Sequence, residues 1–223
     1  MTGLQSGRAA SQRTDVRDRD SCRYCRFVDS VDQPDDLRTK VRSERTVYDT
    51  PWVRVSLADI EPPDGRRFEH HVLRLPPVAI AAVLNDADEV LMLWRHRWVI
   101  DSWGWELPGG IIDGQEDGAA TAAREVEEET GWRPQPLKHL VTFQPMMGMA
   151  DAQHEVYVGR GATRVGEPSD LEEAGRVAWI PMAAVLGLIG KGEVQGSGSL
   201  VGLLHLLASR AAGAASGNQP SAG

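Results

Sequence analysis

The spacing of apolar and polar residues changes character near Arg45 of this 223-residue chain. Before it, residues 1–43 are rich in arginine and aspartate, hold few apolar residues and follow no period. That stretch is expected to be disordered or loosely packed. From Arg45 onward, TVYDTPWVRVSLADI alternates apolar and polar positions through Trp52, Val53, Val55, Leu57 and Ile60. This is the pattern of two half-buried strands broken at Pro51. PPDG at 62–65 is a turn, and RRFEHHVLRL returns as a third strand, so an antiparallel β-ribbon is predicted. VAIAAVL at 78–84 is apolar throughout, which suits a central strand buried on both faces, with EVLMLWRHRW as its hairpin partner across the turn NDAD. LKHLVTFQ, HEVYVGRG and RVAWI at 176–180 read as further strands. MAAVLGLIGKGE and SLVGLLHLLASRAA read as two closing helices, and residues 211–223 as a small, polar, flexible tail. One domain over 44–210 follows.

Between the strands lies GIIDGQEDGAATAAREVEEETGW, from Gly110 to Trp132. Its alanines and glutamates predict a helix over Asp117 to Thr130, with Asp117 as cap and Gly131 as stop signal. On that helix Glu125, Glu128 and Glu129 stand at i, i+3 and i+4, so three carboxylates share one face. Like charges so placed repel one another, which calls for a cation against them, and hard divalent ions such as Mg²⁺ take oxygen ligands of this kind. Arg124 and Glu116 read as a structural pair that orients one of the carboxylates. The loop LPGGIIDG has three glycines, so its backbone can approach a ligand or metal closely.

Gly110, five residues, Glu116, seven residues, then Arg-Glu-Val-Glu-Glu-Glu-Thr-Gly-Trp at 124–132 matches the Nudix box position for position. The chain therefore resembles the Nudix hydrolases over roughly residues 45–210. The resemblance implies an α/β fold, an α/β/α sandwich around a mixed sheet with the N-terminal β-ribbon added. It implies hydrolysis of a nucleoside diphosphate linked to another group, with Mg²⁺, or Mn²⁺ in its place. The ligands it implies are Glu125, Glu129 and the Gly109 carbonyl, with Glu128 assisting or ordering water. In the ADP-ribose and nucleotide-sugar branch the general base comes from a late acidic loop, here EPSDLEEAGR, which makes Glu173 the first candidate, Glu172 the second and Asp170 the third. That branch also implies substrate contacts from Arg97 in WRHRW and Glu106 in WELPGG, with Trp52, Trp98 or Trp103 available to stack on a base. Its members are homodimers that pack the ribbon across the interface. ADP-ribose, cleaved to AMP and ribose 5-phosphate, is the leading substrate on this reading, followed by a nucleotide sugar, then a nucleoside triphosphate or NADH. One departure stands out. The branch commonly carries a Ser-Pro-Gly step after the box, and this chain reads FQPMMG, with Met146 and Met147 in those places and Met147 as a softer wall to the substrate.

Composition narrows the picture little further. A net charge of −8 disfavours broad attraction to nucleic acid. No apolar run approaches the roughly 18 residues that span a bilayer, and no secretory signal is visible, so a cytoplasmic protein is expected. Cys22 and Cys25, spaced CxxC, lack the two further ligands of a zinc site and read as incidental reduced thiols. Two other classes fit less well: a nucleotide sensor that binds without turnover, which the intact box disfavours, and a scaffold using residues 1–43, which hold no recognisable docking motif.

Overall fold

The computed structural model describes residues 34–114, 116–169 and 175–216. The run at 78–84 forms β4 (Val78–Leu84) and its hairpin partner forms β5 (Glu89–Arg97). β4 explains the layering. Its odd positions, Ala79, Ala81 and Val83, pack into one apolar cluster, while Ile80, Ala82 and Leu84 pack into another. A strand apolar at every position has two faces to bury, and helices cover both.

The first face receives α1 (Gly118–Thr130), which places Ala122 and Val126 against Ala79, Ala81, Val83 and Leu91. Asp117 caps it, accepting the backbone N–H groups of Ala119 and Ala120 at 3.1 and 3.2 Å. Gly131 ends it at φ 73°, a left-handed conformation that a side chain disfavours. The second face receives α2 (Met182–Gly190) and α3 (Ser197–Ser216), which bury Met182, Val185, Leu203 and Leu206 on Ile80, Val90 and Met92. The expected α/β/α sandwich is the observed one.

The main sheet runs in the order β13 (Arg176–Pro181), β5, β4, β11 (His154–Arg160), β9 (Lys138–Phe143). Only β4 and β11 are parallel neighbours on that path. β6 (Ser102–Glu106) pairs antiparallel with β5, and β7 (Gly109–Ile111) with β4, so the entry to the box is itself sheet. A small pair, β8 (Trp132–Pro134) with β12 (Ala162–Arg164), closes the side beyond α1.

The ribbon is a second sheet: β1 (Lys40–Asp49), β2 (Arg54–Glu61) and β3 (Phe68–Arg74). Two parallel rungs with β10 (Ala150–Asp151) and a His70 Nε2 contact of 2.9 Å to the Gly148 carbonyl join it to the rest. The boundary expected at residue 44 is displaced, because Lys40 and Val41 already pair with Glu61 and Ile60. Every residue of β1 is exposed, and its first half, residues 40–45, is polar apart from Val41 and shows no apolar period. Residues 1–33, with Cys22 and Cys25, lie outside the described residues.

Asp88, at φ 62° in the β4–β5 turn, ties the far end together. Its carboxylate accepts both amino groups of Arg210 on α3 at 2.6 Å, and its carbonyl accepts the N–H of Met182 at 3.0 Å.

Candidate active site

Helical spacing puts Glu125, Glu128 and Glu129 on the side of α1 that meets β7. Glu129 is 1 % exposed. The Gly109 N–H donates to its Oε2 at 3.0 Å, and Arg95 donates to its Oε1 at 2.6 Å. Glu125 lies against Gly110 so closely that a Cβ there would overlap its carboxylate. This is the close approach for which the glycine pair was singled out. Arg124 holds the outer carboxylates, at 2.8 Å from both Glu125 and Glu128 and 3.3 Å from Glu116. Its pKa is raised, first by the Glu116 hydrogen bond and then, against burial, by Glu128 and Glu125.

Arg95 is 4 % exposed and carries the site inward. Its Nε donates to Glu106 at 3.0 Å, and Arg97 donates to the same carboxylate at 2.6 Å. Burial, the largest single influence on Glu106, pushes its pKa up, but Arg97 and Arg95 together offset this and hold it below its ordinary value. Glu129, Arg95, Glu106 and Arg97 thus form one continuous row of alternating charge on the α1 face of the sheet.

A cleft of about 780 Å³ opens beside this row, lined by Arg95, Arg97, Glu106 and Gly109 and, across from them, by Gln195 and Ser199 at the start of α3. Trp98 and Trp103 also line it. Trp52 and Met147 do not: they are 68 % and 84 % exposed, on the ribbon and on the loop that joins it to the sheet. The structure therefore gathers Gly109, Arg124, Glu125, Glu128, Glu129, Arg97 and Glu106 and leaves those two apart. Glu172, Glu173 and Asp170 lie outside the described residues.

Arg95 is the residue the sequence reading missed. Its signal was present, since Arg95 stands on the same strand face as Leu91, which packs under α1, and a guanidinium on a buried face requires a carboxylate partner.

A model of the Nudix domain matches residues 74–196, and one of the nucleoside diphosphate sugar hydrolase N-terminal domain matches residues 39–73. The chain belongs to the Nudix family. It is a Nudix hydrolase, and it is 47 % identical over 171 residues to the CMP-5'-(N-acetyl-N-hydroxy-3-aminopropyl)phosphonate hydrolase of Streptomyces rubellomurinus, covering 77 % of this chain and 83 % of that one. It is 33 % identical to the ADP-ribose pyrophosphatase of Mycobacterium tuberculosis over 57 % of this chain and 62 % of that one. The crystal structure of an ADP compounds hydrolase superposes with a TM-score of 0.67 at 18 % identity, over 76 % of this chain and 92 % of that one, which supports the fold.

Nudix hydrolases generally use a divalent metal. Among the described residues no three His, Cys, Asp or Glu side chains converge as a ready ion site, and Arg124 and Arg95 meet the box carboxylates. The donors nevertheless fit a hard divalent ion in kind. They are carboxylate oxygens on one helix face beside a glycine backbone that leaves them room. None of the described helices is long and apolar enough to cross a membrane.

Proposed function

We propose that this Nudix hydrolase cleaves, with Mg²⁺, the P–O–P anhydride that joins a nucleoside 5'-phosphate to a second phosphoryl or phosphonyl group. The observation that carries this reading is the row from Glu129 through Arg95 and Glu106 to Arg97. It joins the box carboxylate Glu129 to the cleft-lining Arg95, Glu106 and Arg97 on one wall. The oxygen of a water molecule bonds to one phosphorus, the bond from that phosphorus to the bridging oxygen breaks, and the two halves leave as separate monophosphate or phosphonate anions. Mg²⁺ would neutralise the charge that builds on the phosphoryl oxygens. Glu125, Glu128, Glu129 and the Gly109 carbonyl are its proposed holders, with Glu173 or Glu172 as the proposed base for the water proton. Arg97 holds the anionic substrate and Glu106 fixes Arg97.

A nucleotide-linked phosphonate stands first as substrate. The relative whose name specifies such a compound is the more similar of the two, over the larger share of its length. ADP-ribose stands second, because Met146 and Met147 replace the Ser-Pro of that branch. A homodimer packed through the ribbon belongs to the same proposal.

The test is phosphorus NMR of reactions with CMP-linked phosphonates, ADP-ribose, UDP-glucose and nucleoside triphosphates, with and without Mg²⁺. Release of CMP or AMP together with an intact second half, only when Mg²⁺ is present, supports the reading. Turnover of triphosphates alone overturns the substrate order, and nucleotide binding without any cleavage overturns the reaction.

A further inference from the structure

The turn between β5 and β6 lifts three consecutive apolar residues into solvent at the cleft mouth: Trp98, Val99 and Ile100, 81 %, 75 % and 60 % exposed. Turns are ordinarily built from small and polar residues, and a large apolar group left in water gives up the free energy of its burial. This turn is also held in shape. Ile100 and Asp101 donate their N–H groups to the carbonyls of Arg97 and Trp98 at 3.2 and 3.3 Å. Asp101 adopts φ 49°, and its carboxylate meets His96 Nε2 at 3.0 Å.

The tryptophans of the cleft differ in how they are used. Trp103 lies parallel to Trp94, with ring centroids 6.3 Å apart and planes inclined by 16°, and its ring also meets His96. Trp98 makes no ring contact among the described residues, yet it follows directly on Arg97, the arginine at the charged wall.

Resting on the proposed hydrolysis, we infer that Trp98 is the platform on which the nucleobase of the substrate stacks. The base is the flat, apolar end of a nucleotide, and the anhydride is its charged end. The cleft presents an exposed indole beside the arginine that holds the charge. Stacking is tolerant of base identity, so one platform serves cytosine and adenine alike. Selectivity among bases then falls to polar groups elsewhere in the lining, such as Gln195, which donates to Ser102 Oγ at 2.9 Å.

The experiment is calorimetric titration of the full chain and its Trp98→Ala and Trp98→Phe variants with CMP, AMP and ribose 5-phosphate, which does not depend on turnover. Trp98→Ala is expected to weaken CMP and AMP about tenfold and to leave ribose 5-phosphate within about twofold, while Trp98→Phe recovers most of the loss. Kinetically, KM rises and kcat holds. Unchanged nucleotide binding, an equal loss for ribose 5-phosphate, or a change in sedimentation showing that the turn joins two copies would each overturn the platform. Trp98-dependent nucleotide binding in a protein that cleaves nothing would sink the proposed reaction and leave the platform standing.

Discussion

Two networks of arginine and carboxylate run through this protein, and burial separates them. On the ribbon, Arg42 pairs with Glu61, Arg45 with Glu69, Arg67 with Asp59 and Arg74 with Glu44, all on a surface open to water. In the site, Arg95 pairs with Glu129 and Glu106 at side-chain exposures of 5 %, 1 % and 15 %. The chemistry is the same and the consequences are opposite. Water screens the ribbon pairs, each of which can be lost at little cost, whereas removing one member of a buried pair leaves the other charge out of the reach of water. Similar charge patterns in sequence therefore encode solubility in one place and an active site in another.

The sharpest way to break that contrast is at Glu129. Glu129→Gln is expected to lower kcat by about 100-fold or more. A loss below threefold would mean that the metal site is misplaced. Arg95→Met leaves the buried Glu129 carboxylate without its cation and is expected to cost about 3–5 kcal/mol in urea denaturation. A cost under about 1 kcal/mol would put the site pairs on a par with the ribbon pairs.

The glycines before the box sharpen the contrast at a second level. A Cβ on Gly109 meets the backbone of Ala79 and Ile80, which cannot move alone, so Gly109→Ala is expected to lose about 1–3 kcal/mol of stability. The nearest atoms to a Cβ on Gly110 are the carboxylate end of Glu125, which can swing away. Gly110→Ala is therefore expected to fold normally and lose about tenfold in kcat, in line with one displaced ligand. Equal melting temperatures for the two variants would contradict this division.

The smallest effect belongs to the ribbon. Arg45→Ala breaks a pair whose side chains are 59 % and 54 % exposed, and is expected to change stability by less than about 1 kcal/mol, fading further as salt is added. A salt-insensitive loss would show that this surface is covered.

The most legible features are those set by local spacing. The cap at Asp117, the stop at Gly131 and the shared face of Glu125, Glu128 and Glu129 follow from helical period and turn chemistry alone. β4 was legible because a fully apolar run requires two covers. What escaped depends on distant pairing. Arg95 becomes a site residue only when α1, 34 positions further on, lays Glu129 against it. The first half of β1, residues 40–45, shows itself as a strand only through its pairing with β2. Trp52 and Met147 carry suitable chemistry, but the sheet topology places them away from the cleft.

Asp88 has a consequence of another kind. Three segments distant in sequence meet there: the β4–β5 turn, the first residue of α2, and α3 through Arg210. The last helix runs on to Ser216, yet its far end is fastened at Arg210. A chain stopped after residue 212 keeps that clasp, and one stopped after residue 209 loses it.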